Sequence, residues 1–291
     1  MILSVRLMTY NHAKYITQCL NSIEQQQTSF PFEVIIGDDF STDNNIALIQ
    51  QFIASSTNKN IKYILLDRKK GDEYDINRQK KGRLYNFLNI INHCKGKYIA
   101  LIDGDDYWTD SYKLQKQVDF LETNPEFNIC FTKSNMLKKN KLELHPIPNI
   151  SKEGIYTYDD LLTHYNFITT ASLMYRNVII IPEWFCELPY GDLGLYGIIS
   201  QNSKLKCLPD ITTIYRIHED GFWSNSNTIE KTLKTIQFNK LISRILNRKQ
   251  KKIIQKKQTN LINYISYQLH KKNRLLRVLK RIQLNFKYNL L

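Results

Sequence analysis

The sequence predicts an α/β fold in which a mostly parallel central sheet is flanked by helices, followed by a basic helical extension at the C-terminal end. Three observations predict it. Short apolar runs alternate with amphipathic helical segments through the first half of the chain. Two of those runs end abruptly in clusters of aspartate, and the composition becomes strongly basic after residue 226.

The strand and helix patterns alternate in a regular order. Predicted strands cover residues 2–8, 32–36, 61–66, 97–102 and 129–133, which are apolar and rich in β-branched side chains. Predicted helices cover residues 13–25, 44–55 and 84–93, and a further helix begins at Asp110 or Ser111 and ends at Asn124-Pro125. The stretch 67–83 is polar and basic and is predicted to be a connection.

The net charge of +14 is concentrated at one end of the chain. Residues 227–291 contain seventeen Lys or Arg and one acid, Glu230, whereas residues 1–226 contain 24 basic and 26 acidic side chains. Such a change in composition marks a boundary. We therefore expect one domain over residues 1–226 and a basic helical C-terminal extension over residues 227–291.

Several protein classes are disfavoured by the sequence. The five cysteines are scattered without a C-x-x-C pair, which argues against a disulfide framework or a zinc site. The N-terminal residues lack the pattern of a secretory signal, and no window approaches about 18 uninterrupted apolar residues. We expect a cytoplasmic protein without a membrane-spanning helix.

The two aspartate clusters are the strongest candidates for chemistry. Asp38 and Asp39 follow one predicted strand, and Asp103, Asp105 and Asp106 follow another. In parallel sheets ligands bind beyond the carboxyl ends of the strands, so both clusters are expected to face one crevice. Carboxylates crowded together repel one another unless a cation such as Mg²⁺ or Mn²⁺ compensates. The alternative for the second cluster is a solvated turn that caps the next helix.

Three blocks of sequence resemble glycosyltransferase family 2. They are the run Thr9-Tyr10-Asn11-His12, the block E-V-I-I-G-D-D-F-S-T-D at residues 33–43, and the block G-K-Y-I-A-L-I-D-G-D-D-Y-W at residues 96–108. Together with the following K-L-Q-K-Q helix they cover about the first 125 residues in the order that the family shows. The stretch Asp103–Glu122 is similar to a bacterial branch of the family that carries the sequence D-G-D-D-Y-W.

The resemblance implies the GT-A fold and sugar transfer with inversion. It divides the domain into a nucleotide-binding half, residues 1–125, and an acceptor half, residues 126–226. Thr9, Tyr10 and Asn11 would line the nucleotide pocket, and Asp39 would accept a hydrogen bond from the base, usually uracil. The segment 103–106 would be the D-x-D element.

Roles within that element follow from the resemblance only in part. Asp103 and Asp105 would contact the donor, and Mn²⁺ or Mg²⁺ would bind at Asp105 or Asp106, a choice that stays open. Phe40 stands where glycine is common, so a different local backbone conformation is expected. Among the basic residues of the loop 78–83, Arg83 is the expected donor-binding residue, with a solvated charge run as the alternative.

The second half contains the expected base. Inverting transfer needs a group that takes the proton of the attacking hydroxyl. Asp192, at the start of a predicted helix over residues 193–200, resembles the position of that base, with a plain helix cap as the alternative. Farther on, Arg216 and His218 resemble a Y-R-x-H segment whose basic residues approach the diphosphate or the metal. Residues 221–224 are a predicted lid, and residues 166–172 a candidate acceptor wall.

The basic extension is predicted to be helical and amphipathic. Its apolar face combines Leu275, Leu276, Val278, Leu279 and Ile282 with interspersed Lys and Arg, among them Lys271. A helix of this kind is attracted to an anionic membrane surface, here the inner face of the plasma membrane. A solvated appendage is the alternative. Nucleic-acid binding is not expected, because no reader motif accompanies the basic residues.

The sequence therefore predicts a metal-dependent, inverting glycosyltransferase of the hexosyltransferase type. Its donor would be a nucleotide-diphosphate sugar, usually UDP-linked, and its acceptor a hydroxyl in surface polysaccharide or lipid-linked glycan synthesis. The alternative is a catalytically inactive GT-A scaffold that binds nucleotide sugars or membranes. A nucleotidyltransferase is disfavoured, because the glycine-rich phosphate loop of that class is missing.

Overall fold

The computed structural model describes residues 1–164, 166–200, 203–219, 221, 227–270 and 274–288. Most of the predicted lid at 221–224 and the residue Lys271 therefore lie outside the described residues. Where the chain is described, no helix is long and apolar enough to cross a membrane.

The strands and helices alternate through the first half of the chain. The strands are β1 (Leu3–Thr9), β2 (Phe32–Asp38), β3 (Ile61–Leu65), β4 (Tyr98–Asp103), β5 (Tyr107–Trp108), β6 (Phe127–Lys138), β7 (Lys141–Leu144), β8 (Ile155–Tyr156), β9 (Leu173–Arg176) and β10 (Lys204–Ile217). The helices are α1 (Ile16–Glu24), α2 (Asn45–Ser55), α3 (Glu73–Lys81), α4 (Leu84–His93), α5 (Lys113–Thr123), α6 (Tyr158–Thr163), α7 (Asp192–Ser200), α8 (Thr228–Ile242), α9 (Arg248–Leu269) and α10 (Arg274–Lys287).

One sheet organises the molecule, with the strand order β3-β2-β1-β4-β9-β6-β10-β5. The strands β3, β2, β1 and β4 are parallel neighbours. Beyond β4 the sheet becomes mixed, since β9 runs antiparallel to both β4 and β6, while β6 and β10 are parallel. The predicted α/β fold with a helix-flanked sheet is confirmed.

The alternation of side chains along the central strands produces a core on each face of the sheet. In β4, Ile99 and Leu101 join one hydrophobic cluster, whereas Ala100 and Ile102 join the other. This is the period of two that a strand buried on both faces requires. Helices α1, α2 and α5 cover one face, and α4 and α7 cover the other.

Strand register brings the two aspartate clusters to one edge of the sheet. In β1, Met8 is paired with Gly37 of β2 on one side and with Asp103 of β4 on the other. Thr9 is paired with Asp38. The residues that follow these three strands therefore meet around the end of β1, as predicted for parallel neighbours.

The hydrophobic core continues into the C-terminal extension. Phe238, Ile242, Leu246 and Ile254 belong to the same cluster as the side chains of α4 and α7. Ion pairs fasten the extension at its surface, with Lys249 Nζ 2.7 Å from Asp159 Oδ2 and Arg244 Nη2 2.9 Å from Glu187 Oε2. The division at residue 226 rests on composition and stays a prediction.

Candidate active site at the strand ends

The first cluster forms a tight turn after β2. The carboxylate of Asp38 is buried and accepts hydrogen bonds from Ser41 N at 2.7 Å, Ser41 Oγ at 2.5 Å and Asn45 Nδ2 at 2.7 Å. The same Asn45 amide donates to Thr9 Oγ1 at 3.0 Å. Asp38 therefore stabilises the loop after β2, and Asp39 is the carboxylate that faces the crevice.

Asp39 is held by two side chains of α3 that the sequence did not single out. Tyr74 donates its hydroxyl to Asp39 Oδ1 at 2.8 Å, and Arg78 Nε lies 2.9 Å from both carboxylate oxygens. A third contact joins Arg78 Nη2 to Asp39 Oδ2 at 2.8 Å. The carboxylate is thus fixed in orientation and remains partly exposed, so it retains lone pairs for a ligand.

Phe40 adopts the left-handed conformation that glycine prefers, with φ of +64°. Phe40 thus occupies a backbone conformation that glycine would adopt without steric cost, and the expected difference from the family stays a prediction. Its ring packs 5.6 Å from that of Tyr74, and Lys70 Nζ lies 3.7 Å from its centroid. These contacts offset the strain of the backbone, which is about 1 kcal/mol or more.

The remaining residues of the first motif line the same edge. Tyr10 is 52% exposed, so its ring is available for a ligand. Asn11 also has a positive φ, of +53°, and its amide oxygen accepts from Thr42 N at 2.7 Å. Its own backbone N–H donates to Ser41 Oγ at 2.8 Å. Asn11 therefore joins the loop after β1 to the loop after β2.

In the second cluster, Asp103 is paired with a cation from inside the core. Arg6 of β1 is fully buried, and its Nη1 donates to Asp103 Oδ1 at 2.6 Å. The guanidinium lies over the Phe87 ring, 4.6 Å from its centroid, and its Nε and Nη2 atoms have no partner among the described residues. The sequence did not predict Arg6 as a site residue, because it lies within the apolar strand β1.

Asp105 points toward two imidazoles. Its Oδ2 lies 3.0 Å from His218 Nε2 and 3.8 Å from His12 Nε2, and all three side chains are less than 20% exposed. Burial opposes the ionised carboxylate, but the hydrogen bond from His218 and the charges of both imidazoles hold the pKa of Asp105 below its usual value. His12 is the last residue of the Thr9-Tyr10-Asn11-His12 motif, and the sequence predicted no role for its side chain.

Asp106 binds the backbone of β10. Its Oδ1 accepts from Arg216 N at 2.9 Å, and the side chain is buried. Burial and the negative charge of Asp105 raise the pKa of Asp106 well above its usual value. The guanidinium of Arg216 donates to the Asp105 carbonyl and to Gln18 Oε1, both at 2.8 Å. Arg216 thus fastens β10 to the D-G-D-D segment.

Asp192 begins α7 and lines a cavity of about 740 Å³ next to this site. Burial, reinforced by the negative charge of Asp103, raises the pKa of Asp192 to about 6, against the opposing effects of Arg6 and Arg83. The Arg83 guanidinium donates to the Pro189 carbonyl at 2.9 Å, directly before the loop that leads to α7. The predicted acceptor wall contributes Asn166, Ile168, Thr169 and Thr170 to the same cavity.

The aspartates at the ends of β2 and β4 lie in a part of the sequence that matches a known family. The sequence matches the family described as Glycosyl transferase family 2 over residues 4–180, more than half of the chain. The chain belongs to glycosyltransferase family 2. Its helix-flanked sheet is the GT-A fold that the sequence predicted.

Two relatives and one solved structure match different lengths of this chain. An uncharacterized protein of Mycobacterium tuberculosis is 32% identical over 227 residues, which are 78% of this chain and 62% of the relative. This chain thus spans less than two thirds of that relative. The Escherichia coli protein WfaP, named UDP-Glc:alpha-D-GlcNAc-diphosphoundecaprenol beta-1,3-glucosyltransferase, is 27% identical over 191 residues, 59% of this chain and 71% of WfaP. The mannosyltransferase PcManGT from Pyrobaculum calidifontis, in complex with GDP-Man and Mn²⁺, has a TM-score of 0.58 at 14% identity, covering 98% of this chain and 74% of that chain.

The residues that this family 2 protein presents around Asp105 fit a divalent cation. Asp105 Oδ2 and His218 Nε2 are 3.0 Å apart, which matches the spacing of adjacent ligands around an octahedral ion with bonds of about 2.1 Å. The Nδ1 atoms of His12 and His218 are buried and have no partner among the described residues. Over the same residues, no group of three His, Cys, Asp or Glu side chains has the geometry of a complete metal site. Two protein ligands, with substrate phosphate and water as the others, are what Mg²⁺ and Mn²⁺ commonly accept.

Proposed function

We propose that this protein is an inverting glycosyltransferase that moves a sugar from a UDP-sugar to an acceptor hydroxyl, with Asp192 as the general base. One observation carries the proposal. Asp192, with a pKa raised to about 6, lines the cavity of about 740 Å³ and is close enough to Asp103, the last residue of β4, for their negative charges to interact. A base with a pKa near the working pH is suited to proton transfer.

The donor would bind across the ends of β1, β2 and β4. Asp39, oriented by Tyr74 and Arg78, would accept the N–H of the base, with Thr9 and Tyr10 beside the nucleoside. Asp103, held by Arg6, would contact the ribose. WfaP, named for a UDP-Glc donor, supports uridine as the nucleoside.

The transfer would be a single displacement. The acceptor oxygen attacks the anomeric carbon, Asp192 takes its proton, and the bond from that carbon to the diphosphate oxygen breaks. Attack opposite the leaving group inverts the configuration. A Mn²⁺ or Mg²⁺ ion, when bound at Asp105 and His218, supplies positive charge that stabilises the departing diphosphate. PcManGT, which shares the fold and is in complex with GDP-Man and Mn²⁺, supports a divalent cation as part of the proposal.

Replacing the base tests the proposal directly. We expect Asp192→Asn to lower kcat/KM for sugar transfer by about 10²–10⁴-fold, because the acceptor loses its proton acceptor. UDP affinity should be nearly unchanged, since Asp192 lies outside the proposed nucleotide pocket. UDP release with a panel of UDP-sugars, Mn²⁺ and a cell extract as the acceptor source measures the rate, and calorimetry measures UDP binding. Unchanged turnover in the variant would reject the assignment.

The pH dependence gives a second readout of the same group. Only ionised Asp192 accepts a proton, so kcat/KM of the wild type should fall as the pH drops below about 6, the value to which its pKa is raised. Asp192→Asn should lack that limb. The raised pKa also means that the folded protein favours neutral Asp192. The free energy of unfolding should therefore fall as the pH rises from 3.8, the ordinary pKa of an aspartate, to about 6, its pKa in the folded protein. The variant should therefore melt higher than the wild type above pH 6.

A further inference from the structure

The cavity at Asp192 is formed jointly by the acceptor half and the C-terminal extension. Its lining includes Leu161 and Leu162 of α6, and Ile254, Lys257, Asn260 and Leu261 of α9. The extension therefore supplies one wall of the space in which an acceptor would reach the base. That wall combines the apolar Ile254 and Leu261 with uncharged polar side chains, and among the described residues Lys257 is its one cation.

Lys257 differs from Lys249 and Arg244, two other cations of the extension. Lys249 and Arg244 lie on acids at 2.7 Å and 2.9 Å. Lys257 is partly buried, and within the described part of the chain its ammonium has neither a hydrogen bond nor an ion pair. Burial lowers its pKa. A desolvated charge without a partner is unfavourable, and binding an anion relieves that cost.

The cavity keeps this cation apart from the proposed base. Lys257 and Asp192 line the same space without forming an ion pair. The other titratable side chains of the lining are His145, His164, Tyr190 and Tyr215, none of which carries a negative charge at neutral pH. An occupant that satisfies both ends must present a hydroxyl to Asp192 and an anionic group to Lys257.

We propose that Lys257 binds the phosphate of an acceptor in which a sugar is joined through phosphate to an apolar carrier. This inference rests on the proposed function and specifies its acceptor. The hydroxyl of the sugar faces Asp192, the phosphate contacts Lys257, and the first carbons of the carrier lie on Leu161, Leu162 and Ile254. The extension thereby completes the acceptor site, and Lys257 is a residue that determines acceptor specificity.

The test compares charged and uncharged acceptors. The probes are N-acetylglucosamine joined by diphosphate to a short synthetic lipid, the same sugar as an uncharged octyl glycoside, and the free sugar phosphate. Binding is measured by calorimetry and needs no turnover. We expect Lys257→Met to weaken binding of the diphosphate lipid by about tenfold or more, the size of a lost charge-assisted hydrogen bond. Binding of the octyl glycoside should not change.

Two further variants control the result. Lys257→Arg should retain most of the affinity, and Lys256→Met, which removes an exposed cation one residue away, should leave it unchanged. Equal losses for charged and uncharged probes, or no loss for either, would overturn the proposal. If the free sugar phosphate binds as tightly as the diphosphate lipid, the part of the proposal that assigns a role to the apolar carrier is wrong.

The outcomes separate this inference from the proposed function. If the wild type releases UDP in an Asp192-dependent reaction while Lys257→Met binds every probe normally, the acceptor inference is wrong and the enzyme assignment stands. If no UDP-sugar is turned over, the enzyme assignment is wrong, and the binding measurements still decide the role of Lys257. A melting curve of each variant confirms that it folds.

Discussion

Adjacent aspartates in one short motif occupy three different environments. Asp103 is paired with buried Arg6, Asp105 with His218, and Asp106 with the backbone of Arg216. Neighbouring carboxylates repel one another, and these separate partners let all three persist within four positions. Their substitutions should therefore have distinct effects.

A pair of amide substitutions separates the proposed metal ligand from the structural carboxylate. Asp105→Asn should weaken Mn²⁺ binding in the presence of UDP by at least about tenfold, because the anionic oxygen that faces His218 is lost. Asp106→Asn should leave Mn²⁺ affinity nearly unchanged, since an amide oxygen can still accept the Arg216 N–H. Titration of free Mn²⁺ by electron paramagnetic resonance measures both. Equal losses in the two variants would contradict the assignment.

The sequence predicted candidate site residues that belong to a motif. It did not predict the residues that hold them in place. Asp39, Asp105 and His218 stand in recognisable patterns. Arg6 stands in an apolar strand, and Lys113 stands on a helix whose spacing alone does not show that it is fully buried. Lys113 packs 4.6 Å from the Trp108 ring centroid, and burial lowers its pKa to about 7. Only the tertiary structure reveals such desolvation.

At the scale of elements, one glycine sets how closely β4 approaches β1. A Cβ on Gly96 would lie 2.4 Å from Ser4 N and 2.6 Å from Leu3 C, which are backbone atoms that cannot rotate away. We expect Gly96→Ala to lower the free energy of unfolding by about 3 kcal/mol. Urea denaturation measures the change.

Gly71 provides the matched comparison for that substitution. It has a φ of +84° and open space around its Cβ position. Gly71→Ala should therefore cost only the backbone strain, about 1 kcal/mol. If both substitutions lower the free energy of unfolding by the same amount, the explanation that a side chain at residue 96 would clash with β1 is wrong.

The elements that the sequence pattern missed lack a hydrophobic period of their own. Helix α3 is charged at most positions and is positioned by the bonds of Tyr74 and Arg78 to Asp39, contacts that are remote in sequence. Strand β10 begins at Lys204 and continues through Pro209 and a change of register near Leu208. Proline and lysine disfavour a strand locally, and pairing with β6 overrides that preference.

At the scale of the whole molecule, charge and exposed apolar surface coincide at the C-terminal end. Helix α10 exposes Leu279 at 52%, Ile282 at 57% and Phe286 at 90%, beside Lys280 and Arg281. Residues of this kind on one helix favour binding to an anionic lipid surface, by about 1 kcal/mol for each basic residue near it. Helix α10 packs against α9, which also lines the cavity at Asp192.

Co-sedimentation with liposomes tests this membrane prediction. The wild type should bind vesicles that contain anionic lipid and should bind neutral vesicles weakly. The double substitution Ile282→Ser and Phe286→Ser should reduce binding to anionic vesicles several-fold. Ile76→Ser removes a side chain that is 60% exposed on α3 and serves as the control. Binding that ignores lipid charge, or that the control reduces equally, would contradict the prediction.

The ion pair between Arg6 and Asp103 bears on how inactive descendants of such an enzyme would look. Removing Asp103 would strand a guanidinium in the interior, at a cost of about 3–5 kcal/mol. A lineage that abandoned catalysis could change Asp105 or Asp192 freely, yet folding alone would still retain Asp103. In this chain the presence of Asp103 is therefore weaker support for catalytic activity than the presence of Asp105 and Asp192.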